Sequence, residues 1–294
     1  KTLQAAQEEV ISTGAFLSWY VEEAKRINSE IISSYDPTKR VYTLRQPVGV
    51  VVAVTPWNFP ADMVTRKVGP ALAAGCTVVL KPSSQTPLIA MALVSLFEQA
   101  GLPKGVLNLV VGKTKEIGDE MMNNRHVRKI TLTGSTDVGK WFMAQASKQL
   151  KRVSLELGGN APYIVCQDAD LDRAVHGIIV GKYRNSGQVC ACPNALYVHA
   201  SVAEPFAEKL VAATRQVKVG PGWVPGVRMG PIIDEPSIRK IQWFVDDAVQ
   251  KGGEVLTGGK RLLEDGLEKG TFYAPTVIYN ANDDMEFARE EVFG

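Results

Sequence analysis

The chain has little cysteine, little histidine and almost no net charge, and each shortage removes a class of function. Four cysteines in 294 residues do not build a disulfide framework, which points to a reducing, cytoplasmic setting. The three histidines, His126, His176 and His199, are scattered, and no cysteines show C-x2-C spacing, so no metal site is read. Lys and Arg number 33 against 31 Asp and Glu, without a basic run or arm, so no nucleic-acid partner is expected. The apolar runs, such as VGVVVAV over 48–54, are strand-length and too short to cross a bilayer. Neither an internal repeat nor a low-complexity stretch occurs. The chain opens at Lys1 inside a helical pattern and stops at EEVFG, without a visible signal peptide, and the reading is a fragment.

What is present is an alternation of strands and helices. Residues 1–27 carry apolar side chains at helical spacing, and 30–47 read as a hairpin around Asp36-Pro37-Thr38. Strands are expected at 48–54, 77–81, 106–112 and 128–134, with an extended stretch at 152–159. Helices fall between them at about 60–74, 88–101, 115–122 and 139–150. Continuous apolar strands separated by helices predict an α/β fold with a parallel sheet covered on both faces. Strands at 163–166 and 195–199, with helices after Asp170 and over 203–216, predict a second α/β unit. It contains a Gly/Pro-rich loop at 220–231.

Several short stretches carry chemistry. LTGSTDVG (132–139) runs from strand through a Gly134-Ser135 turn into a helix, where backbone amides suit a phosphate; an ordinary tight turn explains it equally well. In TPWNFP (55–60), two prolines stiffen a loop presenting Trp57 and Asn58. The Asn58 amide suits a developing oxyanion, or it caps the next helix. Lys81 ends a parallel strand, where α/β sheets bind ligands, although strand-end lysines are commonly just solvated. Glu156 sits in an apolar run beside Gly158-Gly159; an acid there is costly unless used or paired, and its functional reading is a general base. RNSGQVCACPN (184–194) places Cys190 in a Gly-Gln loop ahead of a strand, which suggests a nucleophile. Cys192, Cys76 and Cys166 read equally well as packed small side chains.

Taken together, PWN, LKPS, GSTDVG, LELGGN, GQVC and the terminal EEVFG, in this order, resemble the aldehyde dehydrogenase superfamily. Glu156 and Cys190 are 34 residues apart, as in that family. The resemblance implies a Rossmann-like cofactor domain (1–29 and 48–156), an oligomerisation hairpin (30–47) and a catalytic domain (157–294), each domain lacking a part. It implies that Cys190 attacks the aldehyde carbon and that Asn58 and the Cys190 N–H hold the oxyanion. Hydride passes to the nicotinamide, and Glu156 activates the water that hydrolyses the thioester. Thr55, Pro56, Trp57, Lys81, Ser84, Gly134, Ser135, Glu291 and Phe293 fall on cofactor-binding positions. The resemblance also implies a homodimer or homotetramer.

Two further expectations follow from the same resemblance. NAD-preferring relatives read K-P-x-E where this chain has Ser84, so NADP is expected to serve at least as well as NAD. Arg66, eight positions past Asn58, and Arg184, six before Cys190, match the arginines with which succinate semialdehyde dehydrogenases grip the substrate carboxylate. Succinate semialdehyde is therefore the first substrate expected and glutarate semialdehyde the next, ahead of lactaldehyde or betaine aldehyde. Cys192 resembles the redox partner of the nucleophile in some members of that group. The rival readings are a cofactor-independent thiol esterase and a non-catalytic fragment.

Overall fold

The computed structural model describes residues 1–294, which divide into two compact units. One is Glu8–Leu157; the other is Gly158–Gly294 together with Lys1–Gln7.

The first unit is built on five parallel strands: β3 (Val50–Val54), β4 (Thr77–Lys81), β5 (Leu107–Leu109), β6 (Val127–Thr133) and β7 (Arg152–Glu156). Their spatial order is β5-β4-β3-β6-β7. Helices α2 (Asp62–Ala73) and α3 (Pro87–Gln99) cover one face. There Val64, Val68 and Ala90 pack on Ala53, Val78 and Leu80. Helices α4 (Thr114–Asn123) and α5 (Thr136–Ser147) cover the other, where Met121, Met122, Phe142 and Ala146 pack on Val52, Ile130 and Leu132. A sheet buried on both faces needs apolar residues at successive positions, which is why β3 reads VVVAV rather than alternating. Truncating Leu80 or Ile130, each fully buried, to Ala is expected to cost about 2–5 kcal/mol.

Chain order makes this a Rossmann-like sheet. From β3 the chain winds outward through β4 to β5, then crosses back to β6 on the far side of β3 and on to β7. The reversal between β3 and β6 opens a crevice at their carboxyl ends, where such sheets bind ligands. Helix α1 (Leu3–Ala24) precedes the sheet. Strands β1 (Ile31–Ile32) and β2 (Val41–Tyr42) form an antiparallel hairpin, shorter than the span expected from its β-prone runs. Its turn is set by Asp36, whose Oδ1 accepts from the Thr38 N–H at 3.0 Å.

The second unit pairs β8 (Ala161–Val165) in parallel with β9 (Pro193–Val198). Helices α6 (Leu171–Tyr183) and α7 (Ala203–Arg215) pack around Val165, Val175, Ile178, Phe206 and Leu210. The Asp170 carboxylate caps α6 by accepting from the Arg173 N–H at 3.1 Å. A helix that the sequence reading did not place, α8 (Glu235–Gln250), is capped by Asp234, with Pro236 in its first turn. It lies with the antiparallel pair β10 (Glu254–Thr257) and β11 (Val277–Tyr279) around Ile238, Ile241, Val245 and Tyr273. No helix is long and apolar enough to cross a membrane.

Candidate active site

The first unit gathers its candidate residues on one edge of the sheet. Register pairs Val54 with Lys81 on one side and with Leu132 on the other, and Thr133 with Glu156. Thr55, Lys81, Gly134 and Glu156 therefore stand at neighbouring carboxyl ends. The edge is stitched by the Thr55 N–H donating to the Lys81 carbonyl and the Gly134 N–H to the Glu156 carbonyl, both at 3.1 Å.

Several of these groups have donors and acceptors to offer a ligand. Thr55 is buried, and its Oγ1 has no protein partner. Thr86, at the start of α3, has an equally buried hydroxyl without a partner. Buried polar atoms are normally satisfied, so these two fit a site completed by a bound molecule. The Lys81 ammonium touches only the Pro82 carbonyl, at 3.3 Å, and burial lowers its pKa. Ser84, three residues after Lys81, is exposed. Ser135 caps α5, so that helix begins at Thr136, three residues before the expected start, and its amides face the same edge. It also stops at Ser147, since Leu150 has a left-handed φ of 52°. Gly139 is required there: a Cβ would stand 2.5 Å from the Leu157 side chain, holding α5 away from the strand end. Hydroxyls, an ammonium and a helix N-terminus together fit an anionic, hydroxyl-rich cofactor.

Asn58 is buried in the loop after β3 and does not cap the following helix. The N-cap of α2 is Ala61, and the amides of Ala61 and Asp62 are taken by the Glu9 carboxylate at 2.8 and 3.3 Å. Glu156 is exposed, so the cost of burying an acid does not mark it out as that reasoning assumed. The cost falls on a residue that the sequence reading missed. Lys67 in α2 is 5% exposed, and burial lowers its pKa to about 8 against the opposing pull of Glu156. A lysine on the same helix face as Met63, Val64 and Val68 was the available signal. Arg66, the residue before it, is exposed, and its guanidinium lies over the Phe16 ring at 4.5 Å.

The second unit carries Cys190 on a rigid loop. Asn185, Ser186 and Gly187 all take left-handed backbone, with φ of 48°, 60° and 76°. Non-glycine residues accept this only when the surroundings enforce it. Here Ser186 Oγ donates to the Gly230 carbonyl at 2.8 Å, and Gln188 Nε2 donates to the Asn185 carbonyl at 2.9 Å. Gln188 Oε1 in turn accepts the Ile233 N–H at 2.8 Å. These polar groups are buried, and Cys190 beyond them is exposed. Cys192 faces inward. It is 1% exposed, its Sγ lies 3.6 Å from the Lys182 carbonyl, and burial raises its thiol pKa. Arg184 ends α6 and is exposed.

The EEVFG segment is latched to LELGGN. Asn160 Nδ2 donates to the Phe287 and Glu290 carbonyls at 2.7 and 3.1 Å. Glu291 accepts from the Gly159 amide, while burial raises its pKa and leaves Oε1 without a partner. A Cβ at Gly158 would overlap the Glu291 carboxylate, which accounts for the first glycine of that pair. Phe293 follows with a left-handed φ of 56°.

The model of the aldehyde dehydrogenase family matches residues 1–294. The chain is 50% identical over 294 residues to the glutarate-semialdehyde dehydrogenase of Pseudomonas putida, covering 100% of this chain and 60% of the relative. It is 48% identical, with the same coverage, to the NADP(+) succinate-semialdehyde dehydrogenase of Escherichia coli. The crystal structure of succinate-semialdehyde dehydrogenase from Burkholderia pseudomallei superposes with a TM-score of 0.97 at 47% identity. That match covers 100% of this chain and 60% of the other. The chain thus spans about 60% of the length of the curated relatives it matches. Matched along its whole described length, it belongs to the aldehyde dehydrogenase family.

Proposed function

We propose that this chain is the catalytic part of a dehydrogenase that oxidises a short aldehyde bearing a distal carboxylate, succinate semialdehyde first and glutarate semialdehyde next. The observation that carries the reading is the Cys190 loop: an exposed thiol on a backbone locked by buried hydrogen bonds. Such a loop presents a nucleophile in one orientation. Cys190 adds as a thiolate to the aldehyde carbon. The Asn58 amide and the Cys190 N–H hold the oxygen as it gains charge. Once that carbon has given up its hydride to a nicotinamide acceptor, a thioester would remain, and Glu156 takes a proton from the water that cleaves it, a role that its exposed position at the end of β7 permits.

Thr55, Lys81, Gly134 and Ser135 would hold NADP or NAD, which when bound accepts a hydride. The unpartnered Thr55 hydroxyl and the amides of α5 support that placement. Ser84 is neutral and exposed near Lys81, which favours a 2′-phosphate, and the Escherichia coli relative bears NADP(+) in its name. Trp57 and Pro56 shape the same loop, and Glu291 and Phe293 would face the nicotinamide end. Arg66 and Arg184 would grip the substrate carboxylate. The hairpin supports a homo-oligomer: Ile31 and Tyr35 are 89% and 98% exposed, more apolar surface than a turn needs.

The deciding experiment measures rates on the full-length protein across acidic and neutral aldehydes with each cofactor. Cys190→Ser abolishes oxidation, and Glu156→Gln leaves a burst of reduced cofactor followed by slow turnover. A normal steady-state rate for Glu156→Gln removes the base assignment. Preference for neutral aldehydes removes the carboxylated substrate.

A further inference from the structure

Helix α1 lies along α2, and the two are joined by a row of contacts in which one pair stands apart chemically. At one end, the Glu9 carboxylate accepts the Ala61 and Asp62 amides at 2.8 and 3.3 Å. The Asp62 carboxylate in turn accepts Ser12 Oγ at 3.1 Å and Thr13 Oγ1 at 2.9 Å. At the other end, Gly69 lets the Tyr20 ring approach so closely that a Cβ would stand 2.9 Å from Tyr20 Cδ2. Between these rungs the guanidinium of Arg66 stacks over the Phe16 ring at 4.5 Å. The rungs fall at helical spacing on both helices, so the ring is held in place from either side.

We propose that Phe16 is a positioning residue that sets the enzyme's selectivity for a carboxylated aldehyde by holding Arg66 in a stacked orientation. This rests on the reading of Arg66 as a carboxylate ligand. Arg66 is exposed and has no carboxylate partner, because Asp62 is already engaged by Ser12 and Thr13. An unanchored arginine on a helix surface samples many rotamers, and ordering it on binding weakens affinity. Stacking on an aromatic face removes that freedom without using a hydrogen bond. The five N–H donors of guanidinium lie in its plane and stay available for bidentate capture of a carboxylate. A hydrogen-bonding partner at residue 16 would instead occupy those donors.

The test uses the full-length enzyme, succinate semialdehyde and a neutral aldehyde of similar length. Phe16→Leu keeps the apolar bulk and removes the π face, Phe16→Trp keeps the face, and Phe16→Ala removes both. Phe16→Leu and Phe16→Ala are expected to raise KM for the acid substrate about two- to five-fold relative to the neutral one, the size of an exposed cation–π contact, without changing kcat. Phe16→Trp keeps the selectivity of the unmutated enzyme. In an Arg66→Ala background, Phe16→Leu changes the acid-to-neutral ratio no further. If Arg66→Ala lowers selectivity while Phe16→Leu leaves it unchanged, the proposal is wrong and the carboxylate reading stands. If Arg66→Ala leaves selectivity unchanged, the carboxylate reading fails and the proposal with it. Should Phe16→Ala not fold, the Leu and Trp variants decide.

Discussion

Lys67 Nζ donates to Thr131 Oγ1 at 3.2 Å, placing a buried ammonium from α2 against β6, two residues before that strand ends at Thr133. Burial pulls its pKa from 10.5 to about 8, and Glu156 pulls it part of the way back. A folded-state pKa below the unfolded value means that the unfolded chain binds more protons between pH 8 and 10.5. Stability attributable to this group therefore rises across that window, and the penalty is fully present below it. The difference amounts to roughly 3 kcal/mol. Lys67→Met is expected to be more stable than the unmutated protein at pH 7, with the gap closing by pH 10.5. Urea denaturation at both pH values measures it, and a gap independent of pH would contradict the assignment.

Gly158→Ala is expected to displace the Glu291 side chain. A Cβ there overlaps the Glu291 carboxylate, which must swing aside and give up the Gly159 amide. Overpacking of this kind costs about 1–3 kcal/mol. Gly159, whose added Cβ would meet nothing within 4 Å, is the control. Thermal denaturation of Gly158→Ala and Gly159→Ala should separate the two, and equal loss in both would show that the close contact is not the cause.

Cofactor choice is testable at Ser84. Ser84→Glu adds a carboxylate to an exposed position three residues past Lys81, the last residue of β4. That charge repels a 2′-phosphate and accepts from ribose hydroxyls, so kcat/KM shifts toward NAD by about ten-fold, as one to two kcal/mol of differential interaction implies. Strict NAD dependence of the unmutated enzyme would sink the argument.

The two cysteines of the active-site loop should behave differently. Iodoacetamide is expected to label exposed Cys190 in the native protein and Cys192 only after denaturation, read by mass spectrometry. A Cys190–Cys192 disulfide requires the Cys192 thiol to leave the Lys182 carbonyl. If such a bond protects the enzyme, peroxide inactivation is reversed by dithiothreitol in the unmutated enzyme and not in Cys192→Ala. Equal recovery in both dismisses the pair as a redox device.

The sequence by itself determined the alternation of elements and hence the class of fold. TVVLK over 77–81 is a strand with the bounds its apolar run predicts, and Asp170 marks the start of α6, because period and capping are local properties. The PWN, LKPS, GSTDVG, LELGGN and GQVC motifs likewise pointed to the family without coordinates. What tertiary structure alone decided was burial and direction. Glu156 is exposed while Lys67 is buried; Cys190 faces out while Cys192 faces in; Ala61 rather than Asn58 begins α2, because Glu9 on another helix supplies its cap. The order β5-β4-β3-β6-β7, which brings Thr55, Lys81 and Gly134 to one edge, is equally invisible in a linear pattern. Periodicity records which face of an element is apolar, but the dielectric and the partners that a charged group meets depend on what the rest of the chain packs against that face.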